Sequence, residues 1–194
     1  MKRKKELNKI TVMYDMDGVL CLYTAKDFRD KAQTWKKPGY FQTLKPDKEI
    51  VKLFRALTHI KDRNTKSSFV KRVNVLTTIL PEKPFNTYQH DDKVKWMDKY
   101  VFSKLGRKAK YYTKFTTHGL PKPKVAEKIL GRKLTKNDIL IDDYNPNLQE
   151  FQKAGGTAVK YINGLNSPES WDGPKLYKGT TTKQKVDYLY SLVN

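Results

Sequence analysis

The chain has 194 residues, of which 38% are hydrophobic, and 40 basic residues against 20 acidic ones give it a net charge of +20. This length suits a single folded domain, and no apolar run approaches the ~20 residues that span a bilayer, so we expect no membrane contact. Cys21 is the only cysteine, which excludes an intrachain disulfide and predicts a reducing compartment, most simply the cytoplasm. The charged start lacks the apolar segment of a signal peptide.

The positive charge is distributed unevenly along the chain. Residues 93–136 carry fourteen lysines and arginines against two acidic residues, and residues 2–9 carry five against one. Such segments attract polyanions such as nucleic acids, and they are also common as solvated lysine-rich faces. We therefore predict a basic tail over 1–9 and a basic face over 93–136 that binds nucleic acid or is simply solvated.

Strand-like and helix-like segments alternate along the chain. Short apolar runs predict strands at 11–14, 72–76, 110–115, 138–141 and 157–161. Helical spacing and end signals predict helices after Pro46, around 91–102, from Pro123 to Gly131, after an Asn145 N-cap, and at the carboxyl terminus. This alternation predicts an α/β fold with a doubly wound, mostly parallel, Rossmann-like sheet.

Residues 20–45 interrupt the alternation. They place aromatic residues among charges around a Pro38–Gly39 turn, which fits a small helical cap insert after the first strand better than a regular layer. We therefore predict that residues 10–194 form one domain carrying this insert.

Two carboxylates, Asp15 and Asp17, follow the first predicted strand, and Gly18 ends the run. Residues two apart in an extended chain point to the same side, so both would lean into the crevice where open α/β sheets bind ligands. Close carboxylates repel each other unless a cation neutralises them or one is protonated. Taken alone, a solvated Asp-x-Asp-Gly turn explains this tetrapeptide equally well.

Three later strands lead to complementary groups. They are the hydroxyls of Thr77 and Thr78, the lysines Lys122 and Lys124, and the acidic pair Asp142 and Asp143. Parallel strands would bring these groups to one edge of the sheet, where several carboxylates together suit a divalent cation such as Mg²⁺. Because a hydroxyl and a lysine are suited to phosphoryl oxygens, the set predicts phosphoryl transfer.

The order of these motifs resembles the haloacid dehalogenase (HAD) superfamily of phosphohydrolases. The motifs are Asp-Met-Asp-Gly-Val-Leu at 15–20, Val-Leu-Thr-Thr at 75–78, a lysine before a helix, and Ile-Leu-Ile-Asp-Asp at 139–143. Stretches at 38–41, 92–96 and 140–148, the last continuing towards Trp171, also resemble the 5′(3′)-deoxyribonucleotidase family and its phage and bacterial relatives. A response-regulator receiver is rejected, because its acidic pair opens the chain and its lysine closes it.

The resemblance implies roles for the acidic residues. Asp15 would be the nucleophile that forms an aspartyl phosphate, and Asp17 would be the general acid and then the general base. Mg²⁺ would be held by Asp15, the backbone carbonyl of Asp17, and Asp143, with Asp142 in support. The protein would act in the cytoplasm, or in the host cytoplasm if it is phage-encoded.

Hydroxyls and lysines would bind the phosphate. Thr77 and Thr78 would donate to its oxygens. The family pattern selects Lys122, directly before the helix, and Lys124 is the turn-shifted alternative. Lys93 matches a further lysine of the nucleotidase branch, although plain surface charge also explains a lysine in so basic a chain.

The nucleobase would lie against the insert. Tyr23 matches an aromatic position of the family that packs on the base, and Trp35 could add stacking area. Ordinary packing between insert and domain is the alternative for both, and it is our interpretation of Tyr40 and Phe41. Among the histidines, only His118 precedes the predicted lysine closely enough to approach the site.

Three functions follow from these motifs and the charge. The first is a Mg²⁺-dependent phosphatase that removes phosphate from (deoxy)ribonucleoside monophosphates. The second applies the same chemistry to the phosphorylated end of DNA or RNA, because a mononucleotide does not require a charge of +20. The third is a non-catalytic nucleic-acid-binding protein on the same fold, and the intact motif residues argue against it.

Overall fold

A computed structural model describes residues 9–30, 34–62, 68–117 and 119–194. Its strands are β1 Ile10–Tyr14, β2 Cys21–Leu22, β3 Lys45–Pro46, β4 Val70–Ile79, β5 Thr113–Thr117, β6 Asp138–Asp142, β7 Thr157–Ile162 and β8 Lys175–Tyr177. Six of them form a parallel sheet in the order β5-β4-β1-β6-β7-β8. The pair β2 and β3 forms a short antiparallel ribbon.

The helices connect these strands. They are α1 Ala25–Arg29, α2 Tyr40–Thr43, α3 Lys48–Asp62, α4 Phe85–Met97, α5 Ala109–Tyr112, α6 Lys122–Leu130, α7 Asn145–Lys153 and α8 Thr182–Ser191. A π-helical turn, Asp98–Phe102, prolongs α4, and short 3-10 turns lie at Ser103–Leu105 and Pro168–Ser170. No described helix is long and apolar enough to cross a bilayer.

The sheet is covered on both faces because side chains alternate along its central strands. Val12 and Tyr14 pack with residues of α3 and α8 on one face, whereas Met13 packs with residues of α6 and α7 on the other. This confirms the predicted doubly wound α/β fold.

Two predicted details are wrong, and a strand was missed. Residues 109–112 form α5, and β5 begins only at Thr113, where pairing with Val75 of β4 starts. Helix α7 begins at Asn145, so Tyr144 occupies the N-cap position and makes no side-chain capping bond. The Asn145 side-chain amide instead donates to the Ser170 carbonyl at 2.7 Å. The edge strand β8 has three residues, too few to show an alternating pattern.

The insert occupies the position predicted for it. Its two ends are joined by the β2–β3 ribbon, and the short helices α1 and α2 lie between them. The Cys21 thiol, at the start of the insert, is buried. Residues 1–8 of the predicted basic tail and His118 lie outside the described residues.

Candidate active site

Asp15 and Asp17 lie at the carboxyl edge of the sheet, directly after β1. The Asp15 amide donates to the Ile141 carbonyl at 2.9 Å, which continues the pairing of β1 with β6 into the site. The two aspartates are 7% and 8% exposed, so the turn is not solvated, and Gly18 completes it with a φ of 77°. Both carboxylates therefore lie in a largely dry environment, where a charge needs a partner.

Lys122 supplies one of these partners. It is the first residue of α6, and its ammonium lies 2.9 Å from Asp15 Oδ1 and 2.6 Å from Asp142 Oδ2. Burial alone would lower the pKa of Lys122, but the Asp142 and Asp15 carboxylates raise it above its ordinary value, so the ammonium stays charged. Lys124, two residues further along α6, is exposed, so of these two lysines only Lys122 lies inside the crevice.

Asp143 faces the same crevice from the next position after β6. Its Oδ2 accepts hydrogen bonds from the Tyr23 hydroxyl and the Asn163 amide, both at 2.9 Å. A Cβ on Gly18 would stand 2.2 Å from this oxygen, so only glycine lets the carboxylate approach the turn. Burial, followed by the charges of Asp142 and Asp15, raises the pKa of Asp143 to about 7.

The acidic residues form a set that fits a divalent cation. Oxygens of Asp15, Asp142 and Asp143 lie within 4.8 Å of one another. Burial and the neighbouring Asp15 charge also raise the pKa of Asp142, to about 6, against the influence of Lys122. With Asp17, the crevice contains four carboxylates. In the described chain, two ammonium groups, those of Lys93 and Lys122, pair with members of this set, so the carboxylates outnumber the ammonium groups by two. An all-oxygen donor set with this deficit suits Mg²⁺.

The second ammonium belongs to Lys93, which α4 carries into the crevice. Its Nζ lies 2.5 Å from Asp17 Oδ2, 3.0 Å from Thr77 Oγ1 and 2.7 Å from the Thr78 carbonyl oxygen. Lys93 and Thr77 are fully buried. The strand alternation turns the Thr78 side chain to the other face of the sheet, so Thr78 takes part here through its carbonyl. Lys93 is therefore not a surface lysine.

Helix α4 also fixes the insert above the crevice. The Gln89 amide donates to the Trp35 carbonyl at 2.9 Å, the Gln42 amide donates to Asp92 at 2.6 Å, and the Trp96 indole donates to the Leu44 carbonyl at 2.8 Å. The donors and acceptors on α4 are three and four positions apart, on one helical face. The face that presents Lys93 to the site thus also holds the insert.

The aromatic residues of the insert differ in their surroundings. Tyr23 bonds Asp143, and burial together with this carboxylate raises its pKa, so its hydroxyl remains a donor. Trp35 is partly buried and lies 6.0 Å, between ring centroids, from Phe41. Phe41 is fully buried, and its centroid lies 4.6 Å from the Lys93 ammonium. The packing interpretation of Tyr40 and Phe41 is confirmed, since both contact the core and each other.

Sequence reasoning missed two asparagines that hold the acidic pair. Asn147 donates to Asp142 Oδ2 at 3.0 Å, and Asn163 bonds both Asp143 and the Gly18 carbonyl. The Asn163 side-chain oxygen in turn accepts the amides of Leu165 and Asn166, at 2.8 and 3.2 Å. The signal was the density of asparagines at 145–147 and 163–166, just after two strand ends.

Comparison with known proteins supports the fold. No protein-family model and no curated protein sequence matches the chain. Among solved structures, a HAD hydrolase of family IA, variant 3, from Entamoeba histolytica aligns over 95% of this chain and 99% of its own, with a TM-score of 0.60 and 13% identity. A D,D-heptose 1,7-bisphosphate phosphatase from B. bronchiseptica, solved with magnesium and phosphate, aligns over 93% and 99%, with a TM-score of 0.55 and 15% identity. A predicted phosphatase from Clostridium acetobutylicum aligns over 95% and 97%, with a TM-score of 0.56 and 13% identity. The chain thus shares the HAD-like Rossmann fold of these hydrolases.

Proposed function

We propose that the protein is a Mg²⁺-dependent phosphomonoesterase that hydrolyses (deoxy)ribonucleoside monophosphates through an aspartyl phosphate on Asp15. The observation that carries this proposal is the buried Lys122 ammonium, shared by Asp15 and Asp142, beside Asp143, which forms no ion pair within the described part of the chain. A carboxylate nucleophile, a fixed cation and a set of oxygen donors for a metal are what phosphoryl transfer requires at one point. The phosphatase neighbours, one of them solved with magnesium and phosphate, agree with this chemistry.

The first half of the reaction transfers the phosphoryl group to the protein. An oxygen of Asp15 bonds to phosphorus while the bond from phosphorus to the ribose oxygen breaks, and Asp17 gives its proton to that oxygen. Burial raises the pKa of Asp17, and Lys93 and Asp15 modify it further, so the carboxyl can carry the proton it must donate.

In the second half, Asp17 takes a proton from water, the water oxygen bonds to phosphorus, and the bond to Asp15 breaks to release inorganic phosphate. Mg²⁺ held by Asp15, Asp143 and the Asp17 carbonyl, with Asp142 in support, would supply positive charge to the phosphoryl oxygens when bound. Lys93, Lys122 and Thr77, which lie beside Asp15 and Asp17, would offer fixed donors to the same oxygens. Thr78 is proposed to contribute through its backbone.

The nucleoside preference rests on the insert and on the motif resemblance. Tyr23 and Trp35 belong to an insert that helix α4 holds over the crevice, where an aromatic base could stack.

The test is a phosphate-release assay on purified protein. With Mg²⁺, we expect turnover of dUMP and dTMP, abolished by Asp15→Asn and by chelation of the metal. Asp172→Asn, at an exposed aspartate outside the set of four crevice carboxylates, is the matched control and should leave turnover unchanged. Absence of turnover on every mononucleotide tested, with folded protein and Mg²⁺ present, would contradict the proposed substrate.

A second candidate substrate is the phosphorylated end of a polynucleotide. Of the basic residues in 93–136, Lys93 and Lys122 are buried in the site, and the others lie at the surface, where they can attract a polymer. If this is the substrate, phosphate release from a 5′- or 3′-phosphorylated oligonucleotide should exceed release from the mononucleotide. The rate on the oligonucleotide should also fall steeply with added salt.

A further inference from the structure

A second concave surface lies beside the first residues of β4 and β5, on the amino-terminal side of the acidic crevice. This groove has a volume of about 560 Å³. Its principal lining residues are Lys71, Arg72, Asn74, Tyr111, Tyr112 and Lys114. Along β4, the lining residues Lys71 and Asn74 lie six and three residues before Thr77, which is about 20 and 10 Å along the strand. Lys114 of β5 pairs in register with Leu76, the residue before Thr77, so the groove reaches closest to the crevice at Lys114.

The walls of the groove are tied together before any ligand binds. The Arg72 guanidinium donates to the Ile129 carbonyl at the end of α6, at 2.9 Å. The Asn74 amide donates to the Tyr112 carbonyl at 3.0 Å, and Asn74 is 5% exposed. These bonds join β4 to α6 and to the segment before β5, so the groove is preorganised.

The groove carries positive charge that the described chain does not neutralise. Lys61, at its rim, pairs with Asp62 at 3.2 Å, and Asp62 is also bonded by Arg107. Lys71 and Lys114 form no ion pair with any carboxylate among the described residues. Unpaired lysines facing a common groove attract a chain of phosphates, and they release counterions when it binds.

An exposed aromatic ring distinguishes this groove from a plain anion site. Tyr111 is 65% exposed, and the Lys110 ammonium lies 5.0 Å from its ring centroid. The neighbouring Tyr112 is instead covered by Arg107 and stacked on Phe102, so it belongs to the wall. An open ring beside unpaired cations is the arrangement on which single-stranded nucleic acids stack their bases.

We propose that this groove binds single-stranded nucleic acid without sequence preference, with Lys71, Arg72 and Lys114 at the phosphates and a base on Tyr111. The proposal goes beyond the hydrolysis of mononucleotides and does not depend on it. It also gives a binding role to part of the net charge of +20, since the groove brings residues of the basic 93–136 face together with cations of β4.

The test is a fluorescence anisotropy titration of the full chain with a labelled single-stranded thymidine oligonucleotide of about 15 nucleotides. The logarithm of the binding constant should fall linearly with the logarithm of the salt concentration. The double variant Lys71→Gln/Lys114→Gln should reduce the magnitude of that slope by about 1.4, because each lost phosphate contact on a single strand contributes about 0.7. Tyr111→Leu should weaken binding about 5- to 100-fold and leave the slope unchanged.

Matched controls separate this groove from general surface charge. Lys52→Gln/Lys183→Gln removes two exposed lysines from other helices and should leave the affinity near that of the wild type. Hydrolysis of a mononucleotide should be the same in every variant, since none touches the acidic crevice. No binding to the oligonucleotide, equal losses in both double variants, or equal binding of inorganic polyphosphate together with an unaffected Tyr111→Leu would each overturn the proposal.

Discussion

The Lys93 ammonium lies 2.5 Å from the Asp17 carboxylate, and both side chains are buried. Burial and the Lys93 charge shift the pKa of Asp17 in opposite directions. Burial raises this pKa and the Lys93 ammonium lowers it, and the net result is a rise. A group that first gives and then takes a proton works best with a pKa near the working pH. The contact therefore joins the helix that holds the insert to the residue proposed to move the proton.

Replacing Lys93 with methionine should change the pH dependence of the reaction as well as its rate. Without the ammonium, the influence that lowers the Asp17 pKa is lost, so Asp17 stays protonated to higher pH. The alkaline limb of the pH profile of kcat/KM should then shift to higher pH. Loss of a donor to the phosphoryl group should at the same time lower the maximum kcat/KM by about 100-fold. Lys95→Met, at an exposed position on the same helix, is the control. A lower rate with an unmoved profile would show that Lys93 does not set the Asp17 pKa.

Asp143→Asn should make the metal-free protein more stable and abolish its response to Mg²⁺. Asp143 makes no ion pair within the described residues, and its charge opposes Asp142 and Asp15. An asparagine can still accept from Tyr23 and Asn163 while presenting its NH₂ group to the other carboxylates. Thermal unfolding with Mg²⁺ and with a chelator measures both effects. A destabilised variant that still gains stability from Mg²⁺ would remove Asp143 from the metal set.

The same crowding predicts an unusual pH dependence of stability without metal. Folding raises the pKa of Asp143 to about 7 and that of Asp142 to about 6. An unfolded aspartate has a pKa of about 3.9. Between this pH and the folded pKa values, the folded state binds more protons than the unfolded state, so the free energy of unfolding should fall as pH rises through this range. Denaturant midpoints at about pH 5 and about pH 8 in a chelator measure the slope, which Asp143→Asn should reduce.

The sequence was sufficient to bring the crevice residues together wherever position along a strand decides the geometry. Asp15 and Asp142 lie at the ends of neighbouring strands, so parallel pairing brings them together once the strands are identified. Helix order likewise brought Lys122 to the same edge. These contacts depend on the regular geometry of strands and helices, which local patterns of apolar residues encode.

Contacts made by irregular segments could not be predicted in this way. Tyr23 reaches Asp143 across 120 residues because the insert folds back over the crevice, and no periodic pattern specifies that path. The basic groove arises because α5 replaces the start of a predicted strand and turns Tyr111 outward beside Lys71. Tertiary packing overrode the strand propensity of its tyrosines.

Arg132→Met should destabilise the protein near neutral pH and much less in acid. Burial would raise the pKa of Asp138, but two bonds from Arg132, at 2.6 and 2.9 Å, and two from Thr135 lower it below its ordinary value. A lowered folded pKa stabilises above the unfolded value of about 3.9, and this stabilisation is lost as pH falls through the folded pKa.

The expected loss for Arg132→Met is about 1–3 kcal/mol in the free energy of unfolding at neutral pH. Lys133→Met, at the adjacent and 89% exposed position, should cost far less. Denaturant titrations near pH 7 and near pH 3 provide the comparison. An effect of Arg132→Met that is equal at both pH values would assign the loss to packing of the arginine stem.

Gln42 and Asp92, which tie the insert to α4, should respond unequally to substitution. The Gln42 amide donates to Asp92 Oδ1 at 2.6 Å, while the second oxygen of Asp92 is buried and has no hydrogen-bond partner among the residues that the structure describes. Gln42 itself is exposed, whereas Asp92 is 5% exposed. Loss of the donor therefore leaves a buried carboxylate unpaired, but loss of the acceptor leaves an amide that water can satisfy.

Gln42→Leu should accordingly lower the free energy of unfolding by about 1–3 kcal/mol, and Asp92→Leu should cost little or stabilise the protein. The double variant should resemble Asp92→Leu, because no carboxylate then remains to be satisfied. A double-mutant cycle by chemical denaturation isolates the coupling between the two side chains. In the same variants, KM should rise more than kcat falls if the bond positions the insert over the substrate, since the carboxylates of the crevice are untouched. Equal and additive costs of the two single substitutions would show instead that Gln42 and Asp92 contribute separately.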